Sequence, residues 1–582
     1  MNRTAKFALT LSPLCRRLAC AWPLVVAAGV AHGATDWVDT HTKAFLTSPQ
    51  VQAMASSTNR ASAELAAGTS THVVVSLKLR NEAQLQALAR DVNNPHSAQY
   101  RHFLTSAQFL ANYAPTDAQV KAVTDYLRKS GFIDITVSPN RQLVSARGTA
   151  GSVKTAFNTP LVHFQYAGRS GFANAASAQV PRALGAIVGS VLGLQNVAGA
   201  RPLLKIGAIS KPKALAAGTA TGHSPTEFPA LYDATSVPTA ANATVGIMTI
   251  GGVSQALQDL QQFTSANGYA TVNTQTIQTN GSGGNYSDDQ EGQGEWDLDS
   301  QSIVGAAGGQ VGQLIFYMAD AGASGNTGLT QAFNQAVSDN VAKVINVSLG
   351  WCETDANADG TLNAEEQIFT QAVAQGQTFS VSSGDEGVYE CNNRGYPDGS
   401  NYSVSWPASS PHVLAIGGTT LLTTSSNAFS SETVWNEGLD GNGKLWSTGG
   451  GVSTITPNPS WQSGSNRQLP DVSFDAAQST GALVYNYGQI QQIGGTSLAA
   501  PLFTGFWARI LSANGTGVGF PAAAFYNTIP STPSLVRYDV VSGNNGYQGY
   551  GYNAGPGWDY PTGWGSIDIA KLNQLIQAGN FK

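Results

Sequence analysis

The chain has 582 residues, a formal net charge of −6 and 11% charged residues. This length exceeds what a single hydrophobic core usually serves, so at least two folded units are expected. After residue 33 no apolar run reaches the roughly 18 residues that a membrane-spanning helix needs, so no membrane insertion is expected.

The first 33 residues have the pattern of a secretory signal peptide. Four basic residues precede an apolar run at residues 18–30, and small residues near Gly33 allow cleavage; the basic residues are Arg3, Lys6, Arg16 and Arg17. We therefore expect a secreted protein whose mature form lies outside the cell.

Charge divides the sequence into a basic and an acidic part. Residues 1–215 hold 22 Lys and Arg against 8 Asp and Glu, a net charge of +14, whereas residues 216–582 hold 8 against 28, a net charge of −20. The basic residues are scattered through patterned structure, which argues against a nucleic-acid partner. We expect instead a cationic pro-segment that docks on an anionic domain. Acid should weaken this attraction because it protonates carboxylates.

Residues 34–190 predict a small α+β unit. The order of its elements indicates a ferredoxin-like pro-domain. Strands are predicted at 72–79, 133–137, 143–146 and 161–164, and helices at 82–92, 116–129 and 152–157. A Gly/Ala/Lys/Pro-rich stretch follows at residues 185–215. We interpret residues 191–215 as a linker that contains the maturation cleavage site.

From residue 216 onward, apolar strands alternate with helices. This alternation predicts an α/β domain over residues 216–582, with a doubly wound, mostly parallel sheet covered on both faces. Functional side chains should then collect at the carboxyl ends of the strands. Strands are predicted at 245–250, 274–279, 313–318, 343–349, 379–382 and 413–416, and helices at 255–266, 295–307, 329–338 and 365–374.

The segment Gly495-Thr496-Ser497 follows a glutamine-rich strand predicted at 485–493 and opens an apolar helix predicted at 498–511. Glycines allow close approach of another backbone, and a helix start offers unpaired N–H groups. A serine there lies in a positive local field that suits a nucleophile. In isolation, an ordinary N-cap serine explains the same pattern.

A nucleophilic serine usually borrows a histidine as its base. After residue 216 only His223 and His412 remain, and neither lies in a motif that would present it to Ser497. Glu295 and Asp299 are spaced i, i+4 at a helix start, so they share one face. Two neighbouring carboxyls titrate as a pair, which lets one act as base while the other orients it. A solvated acidic helix start is the alternative.

A third acid, Asp385, follows the strand predicted at 379–382 in Ser383-Gly384-Asp385. This position lies at the sheet edge where Ser497 should also arrive. A carboxylic acid kept protonated there could donate a hydrogen bond to an oxyanion. A turn aspartate between glycines is the alternative.

Two of the four cysteines, Cys15 and Cys20, lie in the signal peptide. Cys352 and Cys391 remain as an even pair in an oxidising compartment, which favours a disulfide. Two separate buried thiols are the alternative.

Gly495-Thr496-Ser497, the Glu295/Asp299 pair and Ser383-Gly384-Asp385 together resemble the sedolisin family of serine-carboxyl peptidases. The segment at residues 93–105 resembles that family's activation domain. The resemblance implies a subtilisin-like fold and an acid-active endopeptidase made as a zymogen, whose pro-domain acts as intramolecular inhibitor and chaperone. It also implies roles for four residues: Ser497 as nucleophile, Glu295 as general base, Asp299 as its orienting acid and Asp385 as the oxyanion-stabilising acid.

The resemblance further implies one structural Ca²⁺ ion, the only cofactor expected. The matching positions combine two carboxylates with main-chain oxygens, the hard ligands that calcium prefers; they are Asp539, Val540, Gly555, Gly557 and Asp559. A plain Gly/Tyr-rich surface loop is the alternative. Residues 355–366 also fit the spacing of an EF-hand loop, although a strand rather than a helix precedes them.

We therefore expect a monomeric, secreted peptidase that acts on proteins and peptides. Three alternatives stay open: a tripeptidyl aminopeptidase of the same family, a non-catalytic secreted binding protein, and an aspartic peptidase that uses only carboxylates. Trp351 could wall the substrate cleft or pack in the core, and Arg394 could meet an acidic substrate side chain or form a surface ion pair.

Overall fold

The computed structural model of the chain describes residues 36–48, 60–209, 211, 213–215, 217–288, 292–323, 325–391 and 399–582. The predicted signal peptide and Arg394 lie outside these residues. Residues 37–582 form one compact unit, so contacts between the predicted pro-domain and the following domain are part of the fold. No helix in the described ranges is long and apolar enough to cross a bilayer.

A four-stranded antiparallel sheet forms the centre of the pro-domain. In spatial order its strands are Ile133–Val137, Leu143–Thr149, Ser70–Leu77 and Val188–Leu192. When these strands are numbered by their order along the chain, their order across the sheet is 2-3-1-4, the order of a ferredoxin-like sheet. The predicted α+β pro-domain is therefore confirmed. Its helices are Glu82–Asp91, Ser106–Asn112, Asp117–Lys129 and Ala150–Phe157.

The fourth strand of this sheet differs from the prediction. The strand predicted at 161–164 is Leu161–Tyr166, and it belongs to a separate sheet with Arg60–Glu64 and Arg169–Asn174. Val188–Leu192 takes its place in the main sheet, and all five of its residues are buried. A strand buried on both faces shows no alternation of polar and apolar residues, which is why the sequence pattern did not reveal it.

Seven parallel strands form the core of the second domain, in the chain order 2-3-1-4-5-6-7 across the sheet. In that spatial order they are Thr274–Gln278, Val311–Ala319, Ala240–Ile250, Val344–Val347, Thr378–Ser382, Leu414–Thr423 and Val472–Asp475. Phe429–Val434 and Gly218–Ala220 add antiparallel strands to Leu414–Thr423, and Lys213–Leu215 pairs with Gly218–Ala220. The subtilisin-like, mostly parallel sheet expected from the resemblance is confirmed.

Helices pack against this sheet. The serine helix, Thr496–Asn514, is buried throughout residues 496–511 because it lies between the central strands and the carboxylate helix, Gln293–Ala306. An all-round apolar helix of this kind needs such a central position. The other helices of the domain are Phe228–Leu231, Ser254–Ala266, Thr327–Asp339, Glu353–Ala358, Thr361–Ala374, Ala522–Thr528 and Ile569–Gln577.

The glutamine-rich segment before the serine helix is a hairpin rather than one strand. Ala482–Asn486 pairs with Gln489–Gly494, and Tyr487 and Gly488 form the turn with φ of 50° and 71°. Two consecutive left-handed residues match the right-handed twist of the two strands. The second strand leads directly into Gly495.

The pro-domain contacts the second domain mainly through neutral groups. Gln142 Nε2 donates to Gln371 Oε1 over 2.6 Å, and Leu104 N donates to Ala374 O over 2.8 Å. Within the described ranges, ion pairs between residues before and after 216 involve only Arg201 and Lys205. The charge attraction expected over the whole pro-segment is therefore concentrated near residues 201–205.

The structure joins Cys352 to Cys391 in a disulfide, 39 residues apart in sequence. Closing a loop of this size stabilises a fold by about 3–4 kcal/mol in the chain-entropy model. Cys352→Ser and Cys391→Ser should therefore lower the melting temperature equally, and the double variant should melt no lower than either, because all three lack the same bond. Calorimetry checks this, and additive losses would contradict the disulfide.

Candidate active site

Ser497 is the second residue of the serine helix and is fully buried. Its hydroxyl donates to the main-chain oxygen of Ser348 over 3.3 Å. The preceding Gly495 has φ of 108°, and a Cβ there would lie 2.3 Å from Leu203 O and 2.8 Å from Asp385 Oδ2. Only glycine leaves room for these groups to approach the helix start.

Glu295 and Asp299 lie one turn apart on the carboxylate helix, and both are fully buried. Burial raises the pKa of each carboxyl well above its ordinary value, and the charge of Asp299 raises the pKa of Glu295 further. The Ser497 hydroxyl and the Leu203 N–H are close enough to lower the pKa of Glu295, although neither reaches hydrogen-bond geometry. The structure thus brings the predicted base, its partner acid and the serine together.

Asp385 also reaches this centre. Its Oδ1 accepts from the main-chain N–H and the hydroxyl of Thr496 over 2.8 and 2.7 Å, whereas Oδ2 is buried without a donor in the described part of the chain. Burial raises the pKa of Asp385 to about 6, against the lowering effect of Lys444. In acid this carboxyl is therefore neutral and has a proton to donate.

The segment at residues 201–207, which we call the cleft segment, runs through the same centre in an extended conformation. Arg201–Pro202 pairs antiparallel with Leu349–Cys352, and Lys205–Gly207 pairs antiparallel with Gln489–Gly494. Extended pairing on both sides is how a cleft of this kind would hold a peptide substrate. It contributes to the burial of Ser497, Glu295 and Asp385, which are at most 1% exposed.

Leu203 lies directly over the nucleophile. Its main-chain oxygen accepts from the Ser497 N–H over 3.1 Å, and its own N–H donates to Ser348 O over 3.2 Å. Gly495 passes beside both the Leu203 oxygen and the Cα of Leu204. The peptide bond between Leu203 and Leu204 is thus the one presented to Ser497. The Gly, Ala, Lys and Pro content of residues 191–215 predicts a linker, but it does not predict this contact with Ser497.

Charged side chains hold the cleft segment on both sides of that bond. Arg201 pairs with Glu386, and Lys205 Nζ lies 2.7 Å from Glu437 Oε2. Lys205 also lies over the ring of Trp446, 5.3 Å from its centroid. These two acids were not among the sequence candidates, since single carboxylates in loops carry no pattern.

Neither His223 nor His412 contacts Ser497 in the part of the chain that the structure describes. His223 is fully buried, and its Nδ1 lies 3.3 Å from Glu227 Oε2. His412 Nδ1 lies 2.6 Å from Glu366 Oε1. This agrees with the prediction that carboxyls rather than imidazole serve Ser497.

The predicted calcium ligands lie together in one loop region. Asp559 Oδ2 accepts from Gly555 N, and Asp539 Oδ2 accepts from Gly557 N, each over 2.9 Å. Burial raises the pKa of Asp559 to about 6, and the charge of Asp539 raises it too. Two neighbouring carboxylates are the kind of side-chain ligand that a hard divalent cation prefers.

The EF-hand spacing at residues 355–366 is not matched by EF-hand geometry. Asp355 accepts from Tyr166, Asp359 accepts from Gln195, and Glu366 accepts from the hydroxyl of Ser410. The side chains thus face different partners, and no cluster of three metal-binding side chains occurs anywhere in the described ranges.

Trp351, the weaker candidate, is buried in a strand pair with Trp406.

Comparisons with known proteins bear on this arrangement. The model of the pro-kumamolisin activation domain matches residues 57–197, and the model of the subtilase family matches residues 299–565. Over 581 residues the chain is 69% identical to sedolisin of Pseudomonas sp. (strain 101), covering 98% of each chain. It is 45% identical to xanthomonalisin of Xanthomonas sp. (strain T-22), covering 96% of this chain and 75% of that one.

A solved structure is similar as well. Pseudomonas sedolisin, a serine-carboxyl proteinase complexed with two molecules of pseudo-iodotyrostatin, matches with 76% identity and a TM-score of 0.61, over 62% of this chain and 100% of that one. Together with the identity over nearly the full length, this places the chain in the sedolisin family of serine-carboxyl peptidases, as an enzyme with an activation domain in front of a subtilase-like domain.

Proposed function

We propose that the chain is a secreted zymogen that matures into a monomeric endopeptidase active in acid. The path of the cleft segment supports this most directly, because residues 201–207 occupy the cleft as a substrate would and present one peptide bond to Ser497. The pro-domain then acts as an intramolecular inhibitor, and the linker is the first substrate.

The arrangement supports acyl transfer with carboxyl groups in place of imidazole. Ser497 Oγ attacks the carbonyl carbon while Glu295 takes its proton, and Asp299 shares the charge and proton of that pair. The Ser497 N–H and the protonated Asp385 stabilise the oxyanion. Glu295 then returns a proton to the leaving amine, and water attacks the acyl-enzyme by the same route.

The cleft segment also favours an endopeptidase over a tripeptidyl aminopeptidase. The chain continues beyond Arg201, the third residue before the presented bond, and Ala200 N donates to Asn326 Oδ1 over 2.8 Å. A tripeptidyl peptidase must instead recognise a free amino group on the third residue before the bond that it cuts. The alternatives of a binding protein and an aspartic peptidase both require that Ser497 be dispensable.

Ser497→Ala should therefore leave the zymogen uncut in acid, whereas the wild type should first release a fragment that ends at Leu203 and a new amino terminus at Leu204. Mass spectrometry over the first minutes after acidification measures both. Ser380→Ala is the matched control, since it also removes a buried serine hydroxyl, one that bonds to Ala500 O, and it should process normally. Cleavage of the Ser497→Ala zymogen would refute the assignment of Ser497 as nucleophile. An earlier cut of the wild type at another peptide bond would refute only the assignment of the Leu203–Leu204 bond.

Activity should fall as pH rises through about 6, the raised pKa of Asp385, because the ionised carboxyl loses its donor and repels the oxyanion. Asp385→Ala should lower kcat/KM about 10²-fold. Asp385→Asn keeps a donor that does not ionise, so the fall in kcat/KM near this pH should disappear in its pH–rate profile.

Asp475→Asn is the control for this profile, since Asp475 is a buried acid with a pKa raised by burial to about 7 and bonds to Thr480. A wild-type profile in Asp385→Asn would remove Asp385 from the mechanism.

We also propose one structural Ca²⁺ ion held by Asp539, Asp559 and the main-chain oxygens of Val540, Gly555 and Gly557. The ion would supply charge neutralisation to the loop and take no part in the chemistry at Ser497. Chelation should lower the melting temperature of the wild type but not of Asp539→Asn. Asp440→Asn, an acid that accepts hydrogen bonds within its own loop, should respond to chelation like the wild type. An equal effect of chelation on Asp539→Asn would overturn the assignment.

A further inference from the structure

Ser348 lies where the nucleophile, the carboxyl pair and the cleft segment meet. It follows the central strand Val344–Val347 directly and is fully buried. Its main-chain oxygen accepts from the Ser497 hydroxyl over 3.3 Å and from the Leu203 N–H over 3.2 Å. The backbone of this residue therefore aligns both the attacking group and the peptide to be cut.

The side chain of Ser348 does something separate. Its hydroxyl donates to Asp299 Oδ1 over 2.6 Å and accepts from Asn346 Nδ2 over 3.0 Å. Asn346 Oδ1 in turn lies 3.3 Å from the hydroxyl of Thr504, two turns beyond Ser497 on the serine helix; Thr504 shares that hydroxyl with Ala500 O. This buried chain of hydrogen bonds links the serine helix to the carboxylate helix through the central strand.

The direction of these bonds limits where a proton can reside. A hydroxyl has one proton, so a serine that accepts from Asn346 and donates to Asp299 makes Oδ1 an acceptor. Asp299 Oδ2 and both oxygens of Glu295 are buried without other donors in the described part of the chain. When the pair holds a single proton, that proton is then confined to Asp299 Oδ2 or to Glu295.

We propose that Ser348 is a positioning residue of the catalytic pair. Its hydroxyl, oriented by Asn346, keeps the single proton of the pair off Asp299 Oδ1, so that this proton lies on Asp299 Oδ2 or on Glu295. This inference rests on the proposed roles of Ser497, Glu295 and Asp299. The side chain of Ser348 acts on the reaction only through Asp299. The main-chain contacts of Ser348 to Ser497 and Leu203 do not depend on that side chain.

The electrostatics of the centre agree. Burial raises the pKa of Asp299, whereas the hydrogen bond from Ser348 and the nearby Asn346 amide lower it. The charged groups around the pair are few: Asp385 raises the pKa of Glu295, and Arg201 and Lys444 act on Asp385. Loss of the Ser348 hydroxyl should therefore make the pair harder to ionise.

The test is the acid side of the pH–rate profile, where the doubly protonated pair is inactive. In Ser348→Ala the apparent pKa of this limb in kcat/KM should rise by about one unit, and kcat at the optimum should fall about tenfold, since a hydrogen bond to a charged group is lost. Ser348→Thr keeps a hydroxyl and should restore the wild-type limb. Asn346→Ala should move the limb in the same direction by less.

Ser380→Ala is again the control, because it removes a buried hydroxyl that bonds to a main-chain oxygen of the serine helix and not to a carboxyl. It should leave the acid limb in place. An unmoved limb in Ser348→Ala, or equal movement in Ser380→Ala, would overturn the inference while the enzyme remains active, which separates this result from a failure of the proposed mechanism. If Ser348→Ala does not fold, an unmoved limb in Asn346→Ala overturns it.

Discussion

The structure depends on keeping two carboxyl groups, one helical turn apart, out of water. Desolvation makes their charged forms expensive, so Glu295 and Asp299 retain protons far above the range of a surface acid. In the mechanism that we propose, this makes Glu295 a strong enough base for the Ser497 hydroxyl. Under the acid conditions that we propose for its activity, imidazole would be permanently charged and useless as a base.

The rest of the fold can be understood as support for that pair. The carboxylate helix is buried along its whole length and packs against the serine helix, so the faces that carry Ser497 and the carboxyl pair are held by core packing rather than by loops. Glycine at 495 lets a peptide approach the helix start. Asp385 stays neutral in acid because it, too, is buried.

Much of this could be predicted because local pattern and global fold agree. The helix start near Asp117 and the parallel strands follow from capping and periodicity, and the i, i+4 spacing placed Glu295 and Asp299 on one face. Contacts between distant segments could not be predicted in this way. Ser348 is an ordinary serine after an apolar strand, and Leu203 lies in a stretch without pattern, so only the fold brings them to Ser497.

The cleft segment has a consequence for the timing of maturation. A cut after Leu203 would free the upstream half of the segment, but the downstream half remains part of the mature chain. Lys205–Gly207 would stay paired with Gln489–Gly494 as a tethered product at high local concentration. Full access for foreign peptides therefore requires a second event, in which the new amino-terminal arm is trimmed or withdraws from the cleft.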